Sequence, residues 1–141
     1  LNNTEHIMSN QIPKGTDVDG DMTPEAQRIA IAAACGWKCI NHFTMYGMSP
    51  INVKQGFTPR KSSLHWKLPD YLNDLNACHD FEKTLVAGAD NWRYIAALGD
   101  VVGTRLLSVY RRHTADGVLA LITATAAQRA EAFLKTLNLY K

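Results

Sequence analysis

The chain has 141 residues, 46% of them hydrophobic and 20% charged, with a formal net charge of +2 at pH 7. A chain of this length forms one domain and buries roughly 70% of the surface its unfolded state exposes, so one core suffices without a covalent staple. No apolar run approaches the ~20 residues that a membrane-spanning helix requires, and the near-balanced charge argues against a surface that tracks phosphates, so neither a membrane nor nucleic acid is an expected partner.

Residues 1–21 are polar, lack apolar periodicity and include the turn-rich run Lys14-Gly15-Thr16-Asp17-Val18-Asp19-Gly20-Asp21. They read as a flexible arm, either a leader or an appended segment, ahead of a single domain over 22–141. Asp17, Asp19 and Asp21 alternate like part of a calcium loop, but the glycine is at the wrong offset and no closing glutamate follows.

The first helix is signposted by Thr23 as N-cap, Pro24 at the first helical position, Glu25 in the first turn and Gly36 at the end. Ala26, Ile29, Ala30 and Ala33 recur at helical spacing, and their small size implies close packing against a neighbour, expected to be a sheet. From Trp37 to Tyr46 the period shifts to an imperfect strand alternation. The following segment is punctuated by Gly47, Pro50, Gly56, Pro59 and Pro69, with the β-prone pieces Ile51-Asn52-Val53 and Leu64-His65-Trp66 supplying one or two further strands.

A second helix follows Pro69 with Asp70 as its cap, burying Leu72, Leu75, Cys78, Phe81 and Leu85 and turning Asp74, Glu82 and Lys83 towards water. Gly88 interrupts it. Asp90 can cap a third helix with Trp92, Ile95, Ala96 and Leu98 as its apolar stripe. Residues 105–110 and 118–123 are β-prone and flank Asp116-Gly117, a tight-turn pair, so a hairpin is the simplest reading. The closing helix has Thr125 and Gln128 at capping-box spacing, with Ala127, Ala130, Phe133, Leu134 and Leu137 on its buried face. Layer rules then favour an α+β fold: an antiparallel or mixed sheet with three to four helices packed on it, sandwich-like, in a single domain.

Three stretches carry a family resemblance: Met22-Thr23-Pro24-Glu25-Ala26-Gln27 with Gly36-Trp37, then Pro69-Asp70-Tyr71-Leu72-Asn73-Asp74-Leu75-Asn76-Ala77, then Ala124 to Leu137. In that order, over residues 22–138, the chain resembles the phage ABA sandwich domain family, whose biochemical activity is not established. The resemblance implies helices sandwiching a sheet and a phage or prophage origin.

Cys35, Cys39 and Cys78 are an odd set that fits reduced thiols in a cytosolic compartment, which the resemblance implies is that of a bacterial host cell. A zinc site with His79 is disfavoured, because adjacent helical side chains point about 100° apart and do not share one tetrahedral ion. No phosphate-cradling loop, nucleophile elbow or metalloprotease helix is present, and no motif calls for a cofactor. The best polar cluster lies on the second helix, where His79, one turn from Asn76, could act as an acid or base with Asp74 or Asp80. The competing reading is a solvated helix face with one boundary histidine. Asn73 and Asn76 are weak helix formers, so their amides anchor either a ligand or a neighbouring loop. Among the aromatics Trp37, Tyr46, Trp66, Tyr71 and Trp92, those flanking Lys67, namely Trp66 and Tyr71, could stack on a planar ligand, whereas Trp37 and Trp92 stand on apolar stripes and read as core.

These residues favour a small non-enzymatic binding protein acting on a host protein or a small ligand, with Trp66, Lys54, Lys61 and Lys67 carrying recognition. The alternatives are a small hydrolase using His79 with a nearby carboxylate, and a homodimer formed through an exposed apolar face.

Overall fold

The computed structural model describes residues 21–56, 65–85, 90–103 and 115–140. They form an α+β domain of six helices and a three-stranded antiparallel sheet. The expected arm therefore lies outside the described residues apart from Asp21, as do Lys61 and the whole of the proposed first hairpin strand, 105–110.

Helix α1 spans Pro24–Ala34, and the Thr23 side chain accepts from the Ala26 backbone N–H at 3.2 Å, as the cap signal requires. It ends where Gly36 takes φ +93°, allowing Trp37 N–H to reach back to Ala32 O at 3.0 Å. Ala26, Ile29, Ala30, Ile31 and Ala32 are buried, while Ala33 is exposed. The neighbour under this small-residue face is mainly the last helix, with the sheet as a lighter contact.

The stretch expected to be one strand is two. Strand β1, Lys38–Asn41, turns back into β2, Tyr46–Met48, through residues 42–45. Asn41 builds that turn: its Oδ1 accepts from Phe43 and Thr44 N–H at 2.9 and 3.0 Å, and Met45 adopts φ +58° to close it. A bulge with Cys39 at φ +52° interrupts the β1–β2 register between Lys38↔Met48 and Asn41↔Tyr46. Ile51-Asn52-Val53 is not a strand but part of a short helix α2, Pro50–Lys54, capped by Ser49. Proline at its first position and a serine before it outweigh the β-prone side chains. Strand β3, His65–Lys67, pairs with β2 in the register Tyr46↔Lys67, Gly47↔Trp66, Met48↔His65.

The chain leaves β3 through buried Leu68 and Tyr71, and Arg28 of α1 donates to Leu68 O and Pro69 O at 3.0–3.4 Å, fastening this exit to the helices. Asp70 opens a turn instead of a helix, accepting two bonds from the Asn73 amide at 3.1 Å. Helix α3 begins later, at Leu75, with Asp74 Oδ1 accepting from Asn76 N–H at 2.9 Å in the capping role assigned to Asp70. Leu75 is consequently exposed, and the buried face is Ala77, Cys78, Phe81 and Leu85.

Helix α4, Asp90–Val101, buries Tyr94, Leu98 and Gly99; Trp92 is 71% exposed and does not belong to the core as expected. Trp92 and Tyr94 are two positions apart on a helix, so only one of the rings can face inward. Residues Ala115–Ile122 form a helix, α5, so no hairpin strand exists at 118–123 and Asp116-Gly117 sits in a helical turn. Helix α6, Ala126–Thr136, carries the full capping box, with Thr125 Oγ1 accepting from Gln128 N–H at 3.2 Å and Gln128 Oε1 accepting from Thr125 N–H at 2.9 Å. Its inward residues are Ala126, Ala130, Ala132, Phe133, Leu134 and Thr136, and Ala127 points outward.

Helix α6 is the common neighbour of α1, α3 and α4. At the centre Phe81 stacks on Phe133 with centroids 4.5 Å apart and meets the edges or tilted faces of Tyr71 and Tyr94 at 6.0 and 6.4 Å. Four rings drawn from one turn and three helices thus define the core.

Candidate functional site

Two constellations stand out. The first lies on α3, α4 and α6, around Glu82. Expected in water, Glu82 is instead only 20% exposed and receives Tyr94 Oη–H at 2.7 Å and Arg129 Nη1–H at 2.7 Å on Oε1, with His79 Nδ1 3.2 Å from Oε2. Arg129 also donates to Ala124 O at 3.2 Å and Ile122 O at 3.1 Å, satisfying carbonyls at and beyond the end of α5. Burial lowers the Arg129 guanidinium, but hydrogen bonding and charge attraction from Glu82 outweigh it, and the net shift is upward. Burial first, and then the bond to Glu82, pushes the Tyr94 phenol up.

His79 is 62% exposed, and the carboxylate beside it is Glu82. Neither acid named for it from the sequence fills that place: Asp74 holds the Asn76 backbone, and Asp80 pairs with Lys83 at 3.9 Å. Asn73 and Asn76 are exposed, the former anchoring Asp70 in the turn before α3, which is the loop-holding role.

The second constellation is the sheet. Cα partners share a face, so Tyr46 and Lys67 stand directly opposite one another, with Lys38 on the same side across from Met48. Tyr46, Lys38 and Lys67 are exposed, and Phe43 at the β1–β2 turn is 99% exposed. Trp66 is 61% exposed but lies on the other face, opposite Gly47. A Cβ on Gly47 would meet Ile40 Cγ1 at 3.1 Å and Lys38 O at 3.3 Å, so glycine gives close approach there and a larger residue would have to displace its neighbours by a few tenths of an ångström. Tyr71 does not flank Lys67 on the surface: it is fully buried, and burial pushes its phenol up. Trp66 and Lys67 therefore remain surface groups while Tyr71 belongs to the core.

The cysteines differ in setting. Cys39 is exposed; Cys35 is half-buried and Cys78 buried, and burial pushes both thiols up to about 12. Cys78 Sγ–H donates to Tyr71 O at 3.4 Å and Ala126 O at 3.7 Å, the behaviour of a small core residue. Among the described residues no three His, Cys, Asp or Glu side chains converge on a common point, and no helix is long and apolar enough to cross a membrane.

Sequence reasoning missed Glu82, Tyr94 and Arg129 as a unit. The one available hint was Glu82 three residues after His79, a spacing that brings helical side chains together. Comparison of the chain with protein-family models, with curated proteins and with solved structures finds no match in any of the three.

Proposed function

We propose that this chain is a small binding protein of phage or prophage origin, akin to the ABA sandwich family, that presents its sheet and β1–β2 turn to a partner in the host cell. The observation that carries this reading is the exposure of Phe43, Tyr46 and Trp66 around a sheet only three strands wide. Aromatic side chains this exposed are the groups that anchor interfaces, because they remove much apolar area at small entropic cost. The test is mass spectrometry of the protein purified gently from its native host, comparing wild type with Tyr46→Ala and Trp66→Ala. A molecule recovered with wild type and lost from the variants supports the assignment; one recovered equally with all three overturns it.

A second reading is a hydrolase centred on His79. What favours it is the contact with Glu82, since a carboxylate on Nδ1 fixes the imidazole and leaves Nε2 to accept a proton from water. Loss of phosphate-ester or amide hydrolysis in His79→Gln, at unchanged melting temperature, would distinguish it from the binding role.

A further inference from the structure

Cations are distributed unevenly over this molecule. Among the described residues every Lys and Arg on α1, α3, α4 and α6 has a carboxylate partner: Arg28 with Asp70, Lys83 with Asp80, Arg93 with Asp90, Arg129 with Glu82 and Lys135 with Glu131. Lys38, Lys54 and Lys67, on the sheet and α2, are all exposed and in no ion pair within the described residues. The sequence gives the reason, since between Glu25 and Asp70 it contains no Asp or Glu. A net charge of +2 therefore conceals a stretch, residues 26–69, that carries lysines and arginines but no carboxylate side chain, which the whole-chain balance does not reveal.

Resting on the proposed role of the sheet as a recognition surface, we infer that its Lys38–Tyr46–Lys67 face binds single-stranded nucleic acid. Tyr46 is paired with Lys67 on β3 and with Asn41 on β1, and Lys38, opposite the buried Met48, stands two positions further along the same face, so a base stacked on the Tyr46 ring has one ammonium directly beside it and a second diagonally across β2 for the flanking phosphates. Phe43 at the adjoining turn offers a second stacking plane. Stacking is sequence-tolerant because every base has a π-face, and an exposed aromatic interleaved with unpaired lysines is the arrangement such binding uses. An acidic peptide would satisfy the lysines but gains nothing specific from the rings. Duplex would present its bases stacked and inaccessible to Tyr46.

The experiment is fluorescence anisotropy of a labelled oligothymidylate of about 12 nucleotides, within the span one such surface covers, titrated with the full chain at several salt concentrations. Binding is expected, with log K falling against log salt with a slope of about −1.4 for two phosphate contacts. Lys38→Glu with Lys67→Glu abolishes binding, while Lys38→Arg with Lys67→Arg retains it. Tyr46→Ala weakens binding roughly 5- to 100-fold without changing the slope. All of these side chains are exposed, and matched melting temperatures confirm that the variants fold. The inference is overturned if no binding occurs at low salt, if charge reversal leaves affinity unchanged, or if polyglutamate or duplex of equal length competes as well as the single strand. In that event a partner still lost from Tyr46→Ala in the host purification leaves the sheet as the recognition surface and removes only the nucleic acid.

Discussion

Arg129 Nη1 lies 2.7 Å from Glu82 Oε1, joining α6 to α3 across 47 residues of chain with both side chains no more than about one-fifth exposed, at 17% and 20%. Tyr94 on α4 shares the same oxygen, so one carboxylate oxygen ties three helices. A pair this enclosed is weakly screened, and removing one member strands the other.

Arg129→Met is expected to destabilise the fold by about 2–4 kcal/mol, because Glu82 loses its counter-charge and the Ala124 and Ile122 carbonyls lose a donor. The measurement is urea unfolding. The double variant with Glu82→Gln should cost clearly less than the two single changes added together, as interacting partners do; strict additivity would show that the pair is not coupled.

Phe81→Ala removes the ring on which Tyr71, Tyr94 and Phe133 converge. A loss of about 3–5 kcal/mol is expected from the transfer and cavity terms together. Thermal denaturation of Phe81→Ala beside Phe81→Leu checks it, the leucine variant being the milder.

Thr125→Ala deletes the hydroxyl that accepts from Gln128 N–H. It should cost about 1 kcal/mol, the ordinary value for a lost cap. Thr125→Ser, which keeps the oxygen, should recover most of it in the same chemical denaturation assay.

The buried thiols predict an alkaline weakness. In the folded state Cys35 and Cys78 are raised from 9.0 to about 12, so the unfolded chain gives up these protons first. Their contribution is intact below about 9 and is lost as pH climbs towards 12. Melting temperature should fall across that window, less steeply in Cys35→Ala. In the native protein at neutral pH a thiol-reactive dye should label Cys39 quickly and the other two only after denaturant is added.

The parts of this fold that local chemistry specifies are legible in the sequence. Thr23-Pro24 and Thr125 with Gln128 mark helix starts because a cap is decided within four residues. The β1–β2 turn was hidden because it has no glycine or proline; Asn41's side chain and a left-handed Met45 do that work. Asp116-Gly117 misled in the opposite direction, since a strong turn pair was absorbed into α5. Trp92 reads as inward because it stands on an apolar stripe with Ile95, Ala96 and Leu98, but the register of α4 buries Tyr94. Glu82 reads as a solvated residue because its partners Tyr94 and Arg129 lie 12 and 47 residues away, and no local spacing encodes such partners. Exposure of Trp66 and burial of Tyr71 likewise depend on which side of β3 and the following turn faces the helices, which periodicity over three residues cannot fix.

Helix α6 is made after α1, α3 and α4, yet each of those rests on it. During synthesis the earlier helices emerge from the ribosome with their apolar stripes unmatched and wait for the residues from Ala126 onward. A nascent chain stalled just before Thr125 should therefore stay protease-sensitive and attract chaperones, and protection should appear abruptly once the region around Phe133 and Leu134 clears the exit tunnel.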